Sequence, residues 1–362
     1  MFKAYKCIRL TGYAALVCMT LISYSSQVFS QEEFYSGKTI TIYVGRGPGS
    51  GTDLAIRTFV KFWQQHIPGN PTIVVRNIPG GGGIRVWNFG YELADADGLN
   101  ILFSPFSGTA EILGLPGLRA DFEAMPLIGG LKSPNLVYVR TDKVASIEQL
   151  LSAQGLKYAG QNPAHHYDIL GRMALDMLGV NYEYITGFSG ANEVFNAVRR
   201  GEVDMQTTGL TLYRFSIEGP MVETGQALPL WHNPRVNQAG VVLDEEAATG
   251  IPNFVEVYSQ LMGEEPSGEM FDIYKWLQPT INTFGHAAFL PPDSPEEAID
   301  VLRNSFVATT DDDAYRAEEL ELFGVRMPLI SHIEGTRVVG EMINAPDNVR
   351  TILMQYAQPD GR

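Results

Sequence analysis

The chain has 362 residues, 45% of them hydrophobic, and carries 26 Lys and Arg against 41 Asp and Glu, for a formal net charge of −15. That balance argues against nucleic acid or an anionic membrane surface as partner. The length is enough for two domains with sizeable cores.

The first 30 residues read as an export leader. Lys3, Lys6 and Arg9 form a basic start, no acidic residue precedes Glu32, and Leu10 to Ile22 is an apolar stretch too short to span a bilayer. Val28-Phe29-Ser30 offers small residues at −3 and −1, so cleavage is expected before Gln31. Both cysteines, Cys7 and Cys18, fall in the leader, so disulfides and cysteine-held metals are excluded from the mature chain. Losing three cations and no anion takes the net charge from −15 to −18.

Thr39-Ile-Thr-Ile-Tyr-Val44 alternates like a strand, and Leu54 to His66 has helical periodicity. Between them lies Pro48-Gly49-Ser50-Gly51-Thr52-Asp53. A Gly-rich turn that opens a helix aims backbone N–H groups and the positive helix end at one point, which suits an anion. Thr52 or Asp53 is expected to cap the helix. No Lys follows Gly51, which excludes a Walker A loop, and Gly45-Arg46-Gly47-Pro48-Gly49-Ser50 ends in Ser, which excludes the dinucleotide fingerprint. A small carboxylate held by main-chain amides remains, beside the plainer reading of a βα turn with no ligand.

A second unit follows: strand Pro71–Arg76, the turn Asn77–Gly83, and helix Ile84–Ala94. Strand Asn100–Phe103 runs into the polar loop Ser104–Thr109. Asn135–Arg140 is a further strand, His165–Leu178 a helix, Tyr182–Ile185 a strand, and Ala191–Arg200 a helix ended by Gly201. Residues 233–279 give no clear pattern. Phe284–Leu290 reads as a strand in which His286 is a packed core residue, and Ser294-Pro295 as a helix cap with Pro in the first position. Segments 313–323 and 334–343 read as helices and precede a terminal run, 349–357. Strands alternating with helices predict an α/β fold with ligand-ready loops at the carboxyl ends of the strands.

These motifs, in this order, resemble the periplasmic substrate-binding receptors of tripartite tricarboxylate transporters, the Bug-type receptors. Lys38 to Asp53 is similar to the family's K-P-I-T-I-V-V-P-F-A-P-G-G-G-T-D, and Val75 to Gly83 to V-E-N-R-P-G-A-G-G. Ala96 to Ile101, Tyr158 to Arg172 and Ile185 to Asp204 match three further motifs, so nearly all of the mature chain is covered. The resemblance implies a two-lobed Venus-flytrap fold with the ligand cleft between the lobes, drawn as 31–140 plus 284–362 and 141–283. It implies no enzyme activity, no cofactor and no metal. The implied partners are a small organic carboxylate and the membrane components of a tripartite tricarboxylate-type transporter.

The ligand-binding residues it implies are Gly49, Ser50, Gly51, Thr52, Asp53, Gly81, Gly82, Ser104, Ser107, Gln161, Asn162, Phe188, Ser189 and Gly190. Three departures join them. Arg46 stands where the family has an aromatic and could pair with a ligand carboxylate. His165 and His166 replace small hydroxyl residues; neighbours on a helix do not share a face, so one is expected at the ligand and the other exposed. Thr208 replaces a frequent Asp. A side chain at Gly51 is expected to block the site and to strain the turn. The rival reading is a secreted serine hydrolase, because Gly187-Phe-Ser-Gly-Ala191 nearly matches a nucleophile elbow. Asp244, His232, His286 and His332 are its formal partners.

Overall fold

The computed structural model describes residues 34–106, 108–237 and 239–358. The expected leader and Ser107 lie outside the described residues. Strand β1, Thr39–Val44, buries Ile40, Ile42 and Val44 on one face, as its alternation requires. Helix α1, Gly51–His66, follows, then β2, Thr72–Asn77, which pairs parallel with β1 from Thr39↔Thr72 to Val44↔Asn77. Helix α2, Ile84–Glu92, leads to β3, Asn100–Ser104, parallel to β1 on its other side. The loops after all three strands therefore reach the same edge of the sheet.

Helix α3, Gly108–Leu113, and β4, Leu127–Leu131, complete this part of the chain. Strand β5, Asn135–Arg140, opens a second sheet with β6, Leu156–Ala159, β7, Tyr182–Ile185, β8, Met205–Gly209, and β9, Ala227–His232, in the order β7-β6-β8-β5-β9. Helix α4, His166–Met177, joins β6 to β7, and α5, Ala191–Arg200, joins β7 to β8. The boundary drawn at residue 140 thus falls at the far end of a strand of the second sheet. The chain leaves the first sheet through Lys132–Pro134.

The segment whose pattern the sequence hides holds a small ribbon, Arg235–Val236 with Val242–Leu243 (β10 and β11), then helices α6, Phe254–Met262, and α7, Glu269–Leu277. Asn253 and Glu256 form a reciprocal capping box at the start of α6. Helix α6 packs on β9 and α7 on α4, so this segment belongs with the second sheet. Strand β12, His286–Phe289, returns to the first sheet and slots antiparallel between β3 and β4. Helices α8, Glu296–Asp311, and α9, Asp313–Phe323, strand β13, Leu329–Ser331, and helices α10, His332–Ile343, and α11, Asp347–Tyr356, complete the chain. The first sheet has the order β13-β4-β12-β3-β1-β2. Ser294 does not cap α8: its hydroxyl donates to the Pro291 carbonyl at 2.8 Å, and Pro295 takes the cap position.

At the neck between the two halves, Gly285 lies against Ser133; a Cβ on Gly285 would stand 2.1 Å from that of Ser133. Helix α11 makes a further link. Its Arg350 donates to the Ile112 carbonyl of α3, while its Tyr356 carbonyl accepts from Arg172 at 2.7 Å and its Tyr356 hydroxyl donates to Asp176 on α4. Among the described residues no helix is long and apolar enough to cross a membrane.

Candidate functional site

The first turn is braced from behind. The Gly45 N–H donates to the Ser104 hydroxyl at 3.1 Å, tying the end of β1 to the end of β3. Ser104 is fully buried by this and does not reach the cleft, so it is a brace and not a ligand group. Ser50, with extended backbone angles, caps α1 by accepting from the Asp53 N–H at 3.2 Å. The cap is therefore neither Thr52 nor Asp53, since a cap residue must stand outside the helical angles and the helix already begins at Gly51. The Asp53 carboxylate folds under the turn, where it accepts from the Gly49 N–H at 2.8 Å, Arg57 at 3.0 Å and Asn77 at 2.8 Å. Burial pushes its pKa up, but the bonds from Arg57, Asn77 and Gly49 outweigh that and hold it below the usual carboxylate value.

This geometry redistributes the amides. Gly49 has φ 75°, which a glycine adopts without strain, and its N–H serves Asp53. The Ser50 N–H donates to the Gly47 carbonyl at 3.3 Å. Both are spent inside the turn and do not face a ligand. The N–H groups of Gly51 and Thr52, in the first turn of α1, have no acceptor among the described residues.

Opposite the first turn, α4 and the second sheet supply side chains. Arg46, at the end of β1, has a guanidinium with no hydrogen bond or ion pair among the described residues. Burial lowers its pKa, while Tyr167 and Asp168 pull it back up. His165 precedes α4 in extended conformation, and His166 is the first helical residue. Because His165 is not yet helical, the two rings are not splayed by a helical step; they lie 4.8 Å apart, both buried and both on the cavity wall. The expectation that one of them is exposed is thereby corrected. His286 Nδ1 and the Thr208 hydroxyl are buried there without a hydrogen-bond partner among the described residues, while His165 Nδ1 lies 3.5 Å from Asp168 Oδ1.

The cavity has a volume of about 580 Å³. Arg46, Gly49, Ser50, Gly51, Thr52, Gln161, His165, Ser189, Gly190 and Thr208 all line it. Gly81, Gly82 and Asn162 line a narrow recess of about 60 Å³ that shares Arg46 and His165 as its wall. Asp53 and Phe188 lie outside both, Phe188 because its ring packs on a neighbouring apolar cluster. His286, Tyr167, Asn192, Asn196, Glu193 and Thr211 also face the cavity, and sequence reasoning missed them. His286 is buried as a core residue would be, but it opens β12 beside the neck, which no local pattern signals. A larger cavity of about 850 Å³ lies on the other side of Ser133, but its charges are already paired, as Lys132 with Glu334 at 3.2 Å and Lys275 with Asp272 at 3.1 Å.

Ser189 shows no hydrolase geometry. Its N–H and its hydroxyl both donate to Glu193 Oε2 at 2.7 Å. These bonds, from the hydroxyl first, hold Glu193 below its usual pKa, which makes it a poor base for a serine.

The histidines give the site a pH signature. Burial, and then Arg46, holds His286 down to about 4, and burial, His165 and Arg46 hold His166 well below its usual range. Both are neutral at pH 7. An unfolded histidine titrates near 6.5, so between pH 6.5 and 4 the unfolded chain binds more protons and the ligand-free fold loses stability as pH falls. His286 alone contributes about 3 kcal/mol across that window. Melting curves from pH 7 to 4 should show this slope, and His286→Asn should make it shallower; an unchanged slope would remove His286 from the account.

No family model and no curated protein matches the chain. Solved structures do. The periplasmic binding protein BugD aligns at 16% identity over 89% of this chain and 98% of that one, with a TM-score of 0.65. MatC from Rhodopseudomonas palustris with bound malate aligns at 16% identity over 87% and 99%, with a TM-score of 0.63. An R. palustris protein with adipate aligns at 17% identity over 88% and 97%, with a TM-score of 0.65. The likeness shows the fold: a two-lobed α/β periplasmic-binding-protein architecture with its cleft between the lobes.

Proposed function

We propose that the protein is a periplasmic receptor that captures a small carboxylate-bearing solute and hands it to the membrane components of a tripartite tricarboxylate-type transporter, without catalysing a reaction. The observation that carries this reading is Arg46, a guanidinium with no hydrogen bond or ion pair among the described residues, which lines the same cavity as the unpartnered Gly51 and Thr52 amides of a helix start. A carboxylate is the simplest group that satisfies both in fork geometry. The malate and adipate held by two structures of the same fold support it. The lobes are proposed as 34–133 with 284–358, and 134–283; the first crossing moves to Lys132–Pro134 because β5 pairs within the second sheet. Arg46, Gly51, Thr52, His165 and Thr208 are the proposed ligand contacts. Removal of residues 1–30 would place the receptor in the periplasm.

A thermal-shift screen against carboxylates, malate and adipate included, tests the reading. A ligand at a hundred times its dissociation constant stabilises by about 2.7 kcal/mol. Failure of every carboxylate to stabilise, together with ester turnover lost in Ser189→Ala, would reverse the assignment.

A separate prediction concerns Gly51. Its φ is not left-handed and an added Cβ meets nothing within 4 Å, so the strain expected from the sequence is absent. Gly51→Val should therefore leave stability within about 0.5 kcal/mol, as for an ordinary surface change. Affinity should fall about a hundredfold or more, because the side chain enters ligand space. Calorimetry with the screened ligand checks this, and full affinity would take the turn out of the site.

A further inference from the structure

Two helix starts face the chamber, one from each half: α1 at Gly51 and α5 at Ala191. Each carries an acid at its third helical position, Asp53 and Glu193. The two acids sit differently. Asp53 folds behind its turn, paired with Arg57, and leaves the chamber side open. Glu193 stays on the chamber wall and takes the Ser189 N–H and the Ser189 hydroxyl at 2.7 Å each. Those are the donors the second loop would otherwise offer to a ligand. Glu193 has no ion pair among the described residues; Arg200, the other cation on the wall, is held by Glu202 at 2.7 Å. The chamber therefore has a cation without a direct ion pair at the Arg46 end, attracted by Asp168, and a carboxylate without a direct ion pair at the α5 end, attracted weakly by Arg200.

We infer that Glu193 is a specificity-determining residue that restricts the ligand to a single carboxylate, seated at Arg46, with a neutral hydrogen-bonding body. The inference rests on the carboxylate reading of the cleft. A second ligand carboxylate reaching the α5 start would meet Glu193 in place of open donors, and like charges brought together disfavour binding. The bonds from Ser189 keep Glu193 ionised at neutral pH. The remaining polar side chains of that wall, Gln161, Asn192, Asn196, Thr208 and Thr211, are neutral donors and acceptors suited to hydroxyl or amide groups. A chamber of about 580 Å³ is also of the size that takes a drug-sized body.

The experiment compares matched mono- and dianions by calorimetry and thermal shift on the mature protein: D-gluconate against D-glucarate, and monomethyl adipate against adipate. The wild type should bind the monoanion of each pair more tightly. Glu193→Gln should raise the dianion-to-monoanion affinity ratio about tenfold, the effect of removing one like charge. Glu193 is exposed, so the variant should fold, and Glu193→Ala gives a second readout of the same ratio. A wild-type preference for the dianions, or a ratio unmoved by both variants, overturns the inference. Arg46→Gln separates the two levels: loss of binding for every probe keeps the carboxylate reading whatever Glu193 does. Absence of any stabilisation at about 10 mM, with Arg46→Gln silent, overturns both.

Discussion

Arg46→Gln is expected to weaken carboxylate binding about 10- to 150-fold, the loss of one charge-assisted contact worth about 1.5–3 kcal/mol. The usual ambiguity of removing a buried charge does not arise. Arg46 makes no direct ion pair among the described residues; Asp168, the acid that attracts it, keeps its own bonds from the Asn162 N–H and the Tyr184 hydroxyl when the guanidinium is removed. Burial disfavours the guanidinium more than Tyr167 and Asp168 favour it, and the variant should melt at the same temperature as the parent or slightly above it. His166 and His286, both depressed in part by Arg46, should titrate higher in the variant. Affinity within twofold of the parent, measured by calorimetry, would show that the cation lies idle.

Gly285→Ala should destabilise the protein by about 3 kcal/mol or more, the upper range for overpacking a tight site. The new Cβ would stand 2.1 Å from the Ser133 Cβ and 2.6 Å from the Ser133 backbone N, so the clash is partly with main chain that no rotamer can move. The melting temperature should fall by roughly 5–10 °C. Combining it with Ser133→Gly should restore only part of the loss, because the backbone contact remains. Gly117→Ala, where an added Cβ meets nothing within 4 Å, is the control and should change stability by less than about 0.5 kcal/mol. A Gly285→Ala protein as stable as the control would mean that the neck yields.

What could be read in advance follows from how local each signal is. The alternation of Thr39–Val44 and the glycines of the following turn depend on a dozen consecutive residues, so strand, turn and helix were visible before any tertiary contact. The turn's amide traffic was not visible, because Asp53 reaches back to Gly49 only once Arg57 and Asn77 are placed around it. Reading His165 and His166 as helical neighbours failed on one residue of boundary: the first stands just outside the helix. His286 carries no mark in its strand that separates a packed ring from one on a cavity wall. Asn135–Arg140 reads as a strand with either sheet as its home, and only its pairing with β8 and β9 decides.

The link made by α11 has a mechanical meaning. The two connections through the neck touch at Ser133 and Gly285, and the Tyr167 side chain bonds to Ser133 at the same place. Asp176, which holds Tyr356, lies nine residues farther along α4, about 13 Å away at the helical rise of 1.5 Å per residue. Two adjacent supports permit rotation about the line they define; a third support off that line acts as a lever arm. Separation of the halves must stretch or slide the Tyr356 contacts with Arg172 and Asp176. In the proposed receptor, helix α11 would thus set the torque against opening, and through it the fraction of molecules poised to receive a solute, which scales the apparent affinity without touching the solute at all.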